Sequence, residues 1–193
     1  MEKNDRHILK VLSEDKTKGF RLLFDAYYTP LCLFSLQMTD DFDAAEDIVQ
    51  AFFVKFWEKD LHKRIDSNLQ YYLFSSIRNN TIQHLRETGN MVLLDISDTL
   101  SDDAMLHQLM YDDSNEEELR LRETQLYNEL RALPEKEREA LQKVILEEMS
   151  YKEAAQEMGI SVNTIKTHLK RAMKKLRDAK IPMMLLMVTS WQS

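Results

Sequence analysis

The sequence predicts an all-α protein built as two small helical domains joined by a flexible acidic linker. Three observations predict it. Glycine and proline occur only three times each in 193 residues, far below their usual shares of about 7% and 5%. Good helix formers (Leu, Glu, Lys, Met, Gln) fill most of the chain, with apolar residues at helical spacing. That periodicity lapses once, over residues 89 to 115, where the chain turns acidic.

The first domain is expected over residues 5–88, with amphipathic helices at about 18–38, 41–59 and 68–86. The third follows Ser67-Asn68-Leu69-Gln70, a capping-box pattern, and Gly89-Asn90 stops it. Residues 89–115 read as a solvated linker. The second domain is expected over 116–180, punctuated by Leu133-Pro134. Pro134 suits a first helical turn, and Glu135 and Glu137 favour the positive helix end. An apolar tail, 181–193, remains and is expected to pack on the second domain, with packing on a partner as the alternative. There is no internal repeat.

Composition narrows the class. With 44% hydrophobic residues the chain can build a packed core. One cysteine, Cys32, excludes an internal disulfide and suits a reducing cytosol; its apolar surroundings read as a buried structural thiol. The opening MEKNDRHILK is too polar for a signal peptide, and the apolar run 181–188 is far short of the roughly 20 residues of a membrane span. A cytoplasmic protein is expected.

The most informative stretch is SYKEAAQEMGISVNTIKTHLKRAMKKLR, residues 150–177. Ser150-Tyr151-Lys152-Glu153 is a capping box opening one helix, Gly159 supplies a turn, and Ser161 caps a second helix. On that helix Val162, Ile165, Leu169, Ala172, Met173 and Leu176 share an apolar face. Asn163, Thr167, Lys170, Arg171 and Lys174 share the opposite one. This is the layout of a helix-turn-helix whose second helix enters the DNA major groove. Residues near its start (Ser161, Asn163, Thr164, Lys166, Thr167) can reach base edges, and the later cations meet phosphates. A solvated basic face on an ordinary helical hairpin is the plainer alternative. The net charge of −7 does not oppose DNA binding, because it is unevenly spread. Residues 161–180 hold seven basic side chains and one acid, whereas 101–118 hold seven acids and no Lys or Arg. Linker acids such as Asp102, Asp103 and Glu116 are most simply solvated; a further idea is that they cover the basic surface when DNA is absent.

Two tracts in the first domain add to this. In residues 43–57 Ala45, Ile48, Val49, Phe52 and Phe56 form a buried stripe, and Glu46, Asp47, Gln50, Val54 and Glu58 lie away from it. Acids interrupted by an outward valine suit a protein partner better than DNA, beside the alternative of a plain solvated face. In residues 71–86 Leu73, Phe74, Ile77 and Leu85 point inward, whereas Tyr72, Asn79, Gln83 and Arg86 recur on the other face. An aromatic, two amides and an arginine in a row can stack on bases and hold a backbone. Here too an exposed polar face with one packed tyrosine stays open.

Together with Leu133-Pro134-Glu135-Lys136-Glu137-Arg138 and the 150–177 motif, these tracts resemble the extracytoplasmic-function sigma factors of bacterial RNA polymerase. The likeness runs from about Lys18 to Arg177. It implies that Glu46, Asp47, Gln50 and Val54 dock on the clamp helices of the polymerase's largest subunit. It implies that Lys63, Arg64, Asn68, Tyr72, Asn79, Gln83 and Arg86 capture unpaired minus-ten bases, one of them flipped out. The second domain would then grip the minus-thirty-five element as duplex. The partners implied are core RNA polymerase, promoter DNA and an anti-sigma factor, commonly membrane-anchored in the family. Members often carry tryptophan in place of Tyr72, and an acid or asparagine in place of Gln83, so base preference differs.

Enzymatic chemistry is not expected. His7, His62, His84, His107 and His168 are scattered without metal-ligand spacing, and no glycine-rich phosphate loop occurs. No cofactor, metal or small-molecule substrate is implied. The competing functional reading is a conventional helix-turn-helix regulator acting without the polymerase, which would need a ligand pocket or a dimer surface in the first domain. A helical adaptor that binds only proteins leaves the basic helix unexplained.

Overall fold

The computed structural model describes residues 2–65, 68–90, 116–181 and 185, and all of its regular elements there are helical. Helices α1 (Glu2–Glu14), α2 (Lys16–Thr39), α3 (Phe42–Glu58) and α4 (Leu69–Glu87) build the first half, with a short 3-10 turn, Leu61–Arg64, between α3 and α4. Helices α5 (Glu116–Ala132), α6 (Glu135–Ile145), α7 (Tyr151–Met158) and α8 (Val162–Asp178) build the second. The expected helices are therefore present with ends shifted by a residue or two. Most of the acidic linker, including Asp102 and Asp103, lies outside the described residues, as do Ser67 and the tail beyond Ile181 except Leu185.

Helix α2 is the spine. Asp15 caps it by accepting from the Lys18 N–H at 3.0 Å. Every residue from Leu31 to Thr39 is buried, the mark of a helix enclosed on all sides. Helices α1, α3, α4 and α8 all pack against it. A buried hydroxyl pair, Ser35 with Thr81 of α4 at 2.9 Å, satisfies two polar groups that would otherwise be costly to bury. Helix α1 crosses α2 very closely: Gly19 faces the backbone of Leu12, and any Cβ there would fall well inside van der Waals contact.

The caps explain the remaining ends. Asp41 opens α3 by accepting from the Asp43 and Ala44 N–H groups. Asn68 opens α4 by accepting from the Tyr71 N–H at 2.9 Å. Gln70, the far member of the expected capping box, is fully buried, and Ser67 lies outside the described residues. The box at Ser150 is complete: its side chain accepts from the Glu153 N–H, and the Glu153 carboxylate accepts from the Ser150 N–H. Pro134 stands one residue earlier than expected, at the cap of α6.

In the second half α6, α7 and α8 form a three-helix core around Leu141, Val144, Ile165 and Leu169. Gly159 ends α7 in the left-handed region at φ 66°, where glycine carries no Cβ penalty. Ile181 and Leu185, at the start of the tail, are buried.

Candidate nucleic-acid and partner interfaces

Helix α8 presents a clear outer face. Ile165, Leu169, Ala172, Met173 and Leu176 are buried, whereas Asn163, Thr167, Lys170, Arg171 and Lys174 are exposed. Val162, placed on the apolar face by its spacing, is 37% exposed instead. Ser161 Oγ accepts from the Thr164 N–H at 3.1 Å and lies 2.8 Å from Thr164 Oγ1. Both hydroxyls are therefore committed to the cap in this state, and Thr167 Oγ1 donates to the Asn163 carbonyl at 2.9 Å. Asn163, Lys170, Arg171 and Lys174 remain as the outward set. A capped helix start with an exposed amide and a following row of cations can meet base edges first and phosphates after.

Helix α4 presents a different face. Leu73, Phe74, Ile77 and Leu85 are buried, and Asn79, Gln83 and Arg86 are exposed. Tyr72 is half-buried, with its ring edge toward Phe56 at 6.5 Å between centroids. Burial raises its phenol pKa, against the lowering effect of a hydrogen bond with Ser76 and of the Arg64 charge. Gln83 Nε2 donates to Glu87 Oε1 at 2.9 Å. The turn before this helix carries Lys63 and Arg64 outward. Leu61 anchors it in the core, and the His62 ring sits 6.4 Å from Phe56. Asn68 serves as the cap rather than as an open amide.

On α3 the apolar stripe is buried with Phe42 and Phe53 added to it, and Asp47, Gln50 and Val54 are exposed, Val54 at 56%. Residue spacing on α3 alone missed the neighbouring groove. Phe20, Phe24, Tyr28, Phe53, Val54 and Trp57 line an open apolar trough between α2 and α3, with Gln50 at its edge. Phe24 stacks on Tyr28 at 4.6 Å, and Gln50 Nε2 donates to Tyr28 Oη at 3.3 Å. The signal was available as the aromatic repeat at positions 20, 24 and 28 of one helix. Such a trough suits a partner that brings apolar side chains together with cations for the flanking acids.

The two halves touch along a seam beside α3 and α8. Lys166 Nζ of α8 lies 2.8 Å from Glu46 Oε1 of α3 and 4.9 Å from the centre of the Phe42 ring. Phe42 also meets Tyr151 edge-on at 5.6 Å. Gln37 Nε2 donates to the Ile181 carbonyl at 2.6 Å, and Arg177 Nη1 donates to the Gln37 carbonyl at 3.2 Å. Lys166 and Glu46, expected at two separate interfaces, are thus each other's partners here. Beside them Cys32 is fully buried, and burial pushes its thiol up to about 12, as expected of a structural cysteine.

The chain matches known proteins along both halves. The family description Sigma-70 region 2 matches residues 23–90, and Sigma-70, region 4 matches residues 123–176. The ECF RNA polymerase sigma factor SigM of Bacillus subtilis (strain 168) is 30% identical over 158 residues, covering 80% of this chain and 91% of that protein. The RNA polymerase sigma factor SigZ of the same strain is 28% identical over 159 residues, covering 81% and 84%. Among solved structures, the sigma factor RpoE of Bartonella quintana, in complex with the anti-sigma factor NepR, is 24% identical. It covers 84% of this chain and 96% of that one, with a TM-score of 0.34.

Proposed function

The chain belongs to the extracytoplasmic-function family of RNA polymerase sigma factors, and from that premise we propose how its halves share the work of starting transcription. It directs the polymerase to specific promoters. The reading of a regulator that works without the polymerase is not favoured, because both halves match sigma regions. In our reading the chain adds no bond-making chemistry of its own; that stays with the polymerase in the cytoplasm.

The second half, 116–180, holds the minus-thirty-five element through Asn163, Lys170, Arg171 and Lys174. The first half, 5–88, docks on the largest-subunit clamp helices through Asp47, Gln50 and Val54. The turn at 61–65 and the face of α4 take the unpaired minus-ten bases. One observation carries this reading: the exposed amide-and-cation face of a capped α8 within a helix-turn-helix. Lys166 and Glu46 enter the working complex only by leaving each other. The seam opens as promoter phosphates replace the carboxylate and polymerase cations replace the ammonium. An anti-sigma factor, commonly membrane-anchored in the family, completes the partner set by masking the same surfaces.

The test is a pull-down of the purified chain with core polymerase, followed by transcription from a promoter library. Association and chain-dependent start sites are the expected result. Duplex binding with neither association nor new transcripts would return the regulator reading to first place.

A further inference from the structure

A single lysine ties the start of α2 to the end of α3. Lys16 Nζ donates to the Trp57 carbonyl at 2.7 Å, lies 2.6 Å from Asp60 Oδ1, and sits 4.2 Å from the centre of the Trp57 indole. The Trp57 carbonyl belongs to the last turn of α3, where carbonyls lack intrahelical donors and a cation is favoured. Asp60 takes the chain out of that helix in the left-handed region, at φ 49° and ψ 44°. Its carboxylate also accepts from Lys63 Nζ at 2.9 Å. Both cations hold the Asp60 carboxyl down to about 2.

The 61–64 turn hangs from this point. The Lys63 N–H donates to the Asp60 carbonyl at 3.0 Å, Leu61 is buried, and the tilted His62 ring lies near Phe56, which in turn meets Tyr72. Asp60 therefore seats Lys63 through both its carboxylate and its carbonyl, and the turn runs on to Arg64, whose charge acts on the Tyr72 phenol. Both partners in the tie are about one-third exposed, at 35% and 36%, and exposed ion pairs add little to stability. Geometry is the better reason for it, since a misplacement of about 1 Å in a binding constellation can cost on the order of a hundredfold.

We propose that Lys16 and Asp60 are positioning residues for minus-ten base capture, fixing the exit of the chain from α3 and with it the seat of Lys63 and Arg64 beside Tyr72. The inference rests on the assignment of the turn and α4 to single-stranded DNA. Neither residue touches a base; each acts through the turn.

The experiment uses holoenzyme reconstituted from the full chain and core polymerase. Preferred single-stranded minus-ten oligonucleotides are selected from a randomised library with the unaltered protein. Affinity is then measured for the selected oligonucleotide and for versions with single bases replaced. Lys16→Met is expected to lower discrimination between them about tenfold, the scale of one misread base. Core association and minus-thirty-five duplex affinity should stay unchanged. Lys16→Arg, which keeps the charge and its donors, should restore discrimination. Asp60→Gly, which keeps the left-handed backbone but removes the carboxylate, should behave like Lys16→Met. Full discrimination in Lys16→Met, or an equal loss of core association, overturns the proposal. The controls Tyr72→Ala and Arg64→Ala test the underlying assignment separately. If both leave capture intact, that assignment fails, whatever Lys16 does.

Discussion

Helices α4 and α8 are built alike and present different outer faces. Each is opened by a polar cap that accepts the N–H three residues on, Asn68 from Tyr71 and Ser161 from Thr164. Each buries one apolar stripe. Beyond that they diverge. The outer face of α8 carries Lys170, Arg171 and Lys174, all exposed. The outer face of α4 carries amides, one arginine and a half-buried tyrosine, and Gln83 is already drawn to Glu87. On the proposed assignment, one scaffold serves two kinds of DNA. A duplex hides its bases and offers dense phosphate, so cations dominate. A separated strand offers ring faces, so an aromatic and hydrogen-bonding groups do.

The comparison breaks most readily at the two cores. Leu169 and Leu73 are both fully buried, and truncating either to alanine is expected to cost about 2–5 kcal/mol, read by thermal unfolding. Leu169→Ala should impair duplex binding first, and Leu73→Ala single-strand capture first; equal loss of both activities in each variant would erase the distinction. Next in size, Tyr72→Ala should weaken single-strand binding by about 1–3 kcal/mol with little change in salt dependence. By contrast Lys170→Ala or Arg171→Ala should weaken duplex binding and make the log–log salt slope shallower by about 1 per residue. An unchanged slope would mean that these cations do not meet phosphate.

Smaller effects probe how the helices are joined. The Lys166–Glu46 pair is partly buried, at 25% and 19% side-chain exposure. A double-mutant cycle with Glu46→Gln and Lys166→Met should give a coupling of about 0.5–1 kcal/mol. Zero coupling in solution would mean that the seam is open there. The slightest effect concerns Asp60, whose carboxyl is held at about 2 by hydrogen bonds from Lys16 and Lys63, below its ordinary 3.8. With a depressed folded value, its contribution is complete above 3.8 and disappears as pH falls through about 2. A carboxyl NMR titration checks this; a midpoint near 3.8 would show the tie to be absent.

Much of this was legible in local spacing. The apolar stripes of α3, α4 and α8, the caps at Ser150 and Ser161, and the turn at Gly159 all follow from contacts within a few residues. The exposed set Asn163, Lys170, Arg171 and Lys174 follows from the same periodicity. Val162 did not, because periodicity cannot tell where a neighbouring core ends. The Ser67 capping box falls on a residue outside those described, and the cap that is seen is Asn68. The groove at Phe20 and Trp57, the tie from Lys16 to Asp60 and the pair of Lys166 with Glu46 join residues far apart in the chain. Apart from the aromatic repeat at 20, 24 and 28 that makes one wall of the groove, no short-range pattern encodes them; they exist only once the helices have packed.

The close crossing at Gly19 bears on all of this. A single added methyl there cannot be absorbed by a swinging side chain, since what it meets is the Leu12 backbone. Helix α1 would have to back away. Its far end leads through Asp15, whose carbonyl holds the Gly19 N–H at 2.9 Å, straight into Lys16. Gly19 thus stands within one helical turn of the lysine whose ammonium reaches the Trp57 carbonyl and Asp60.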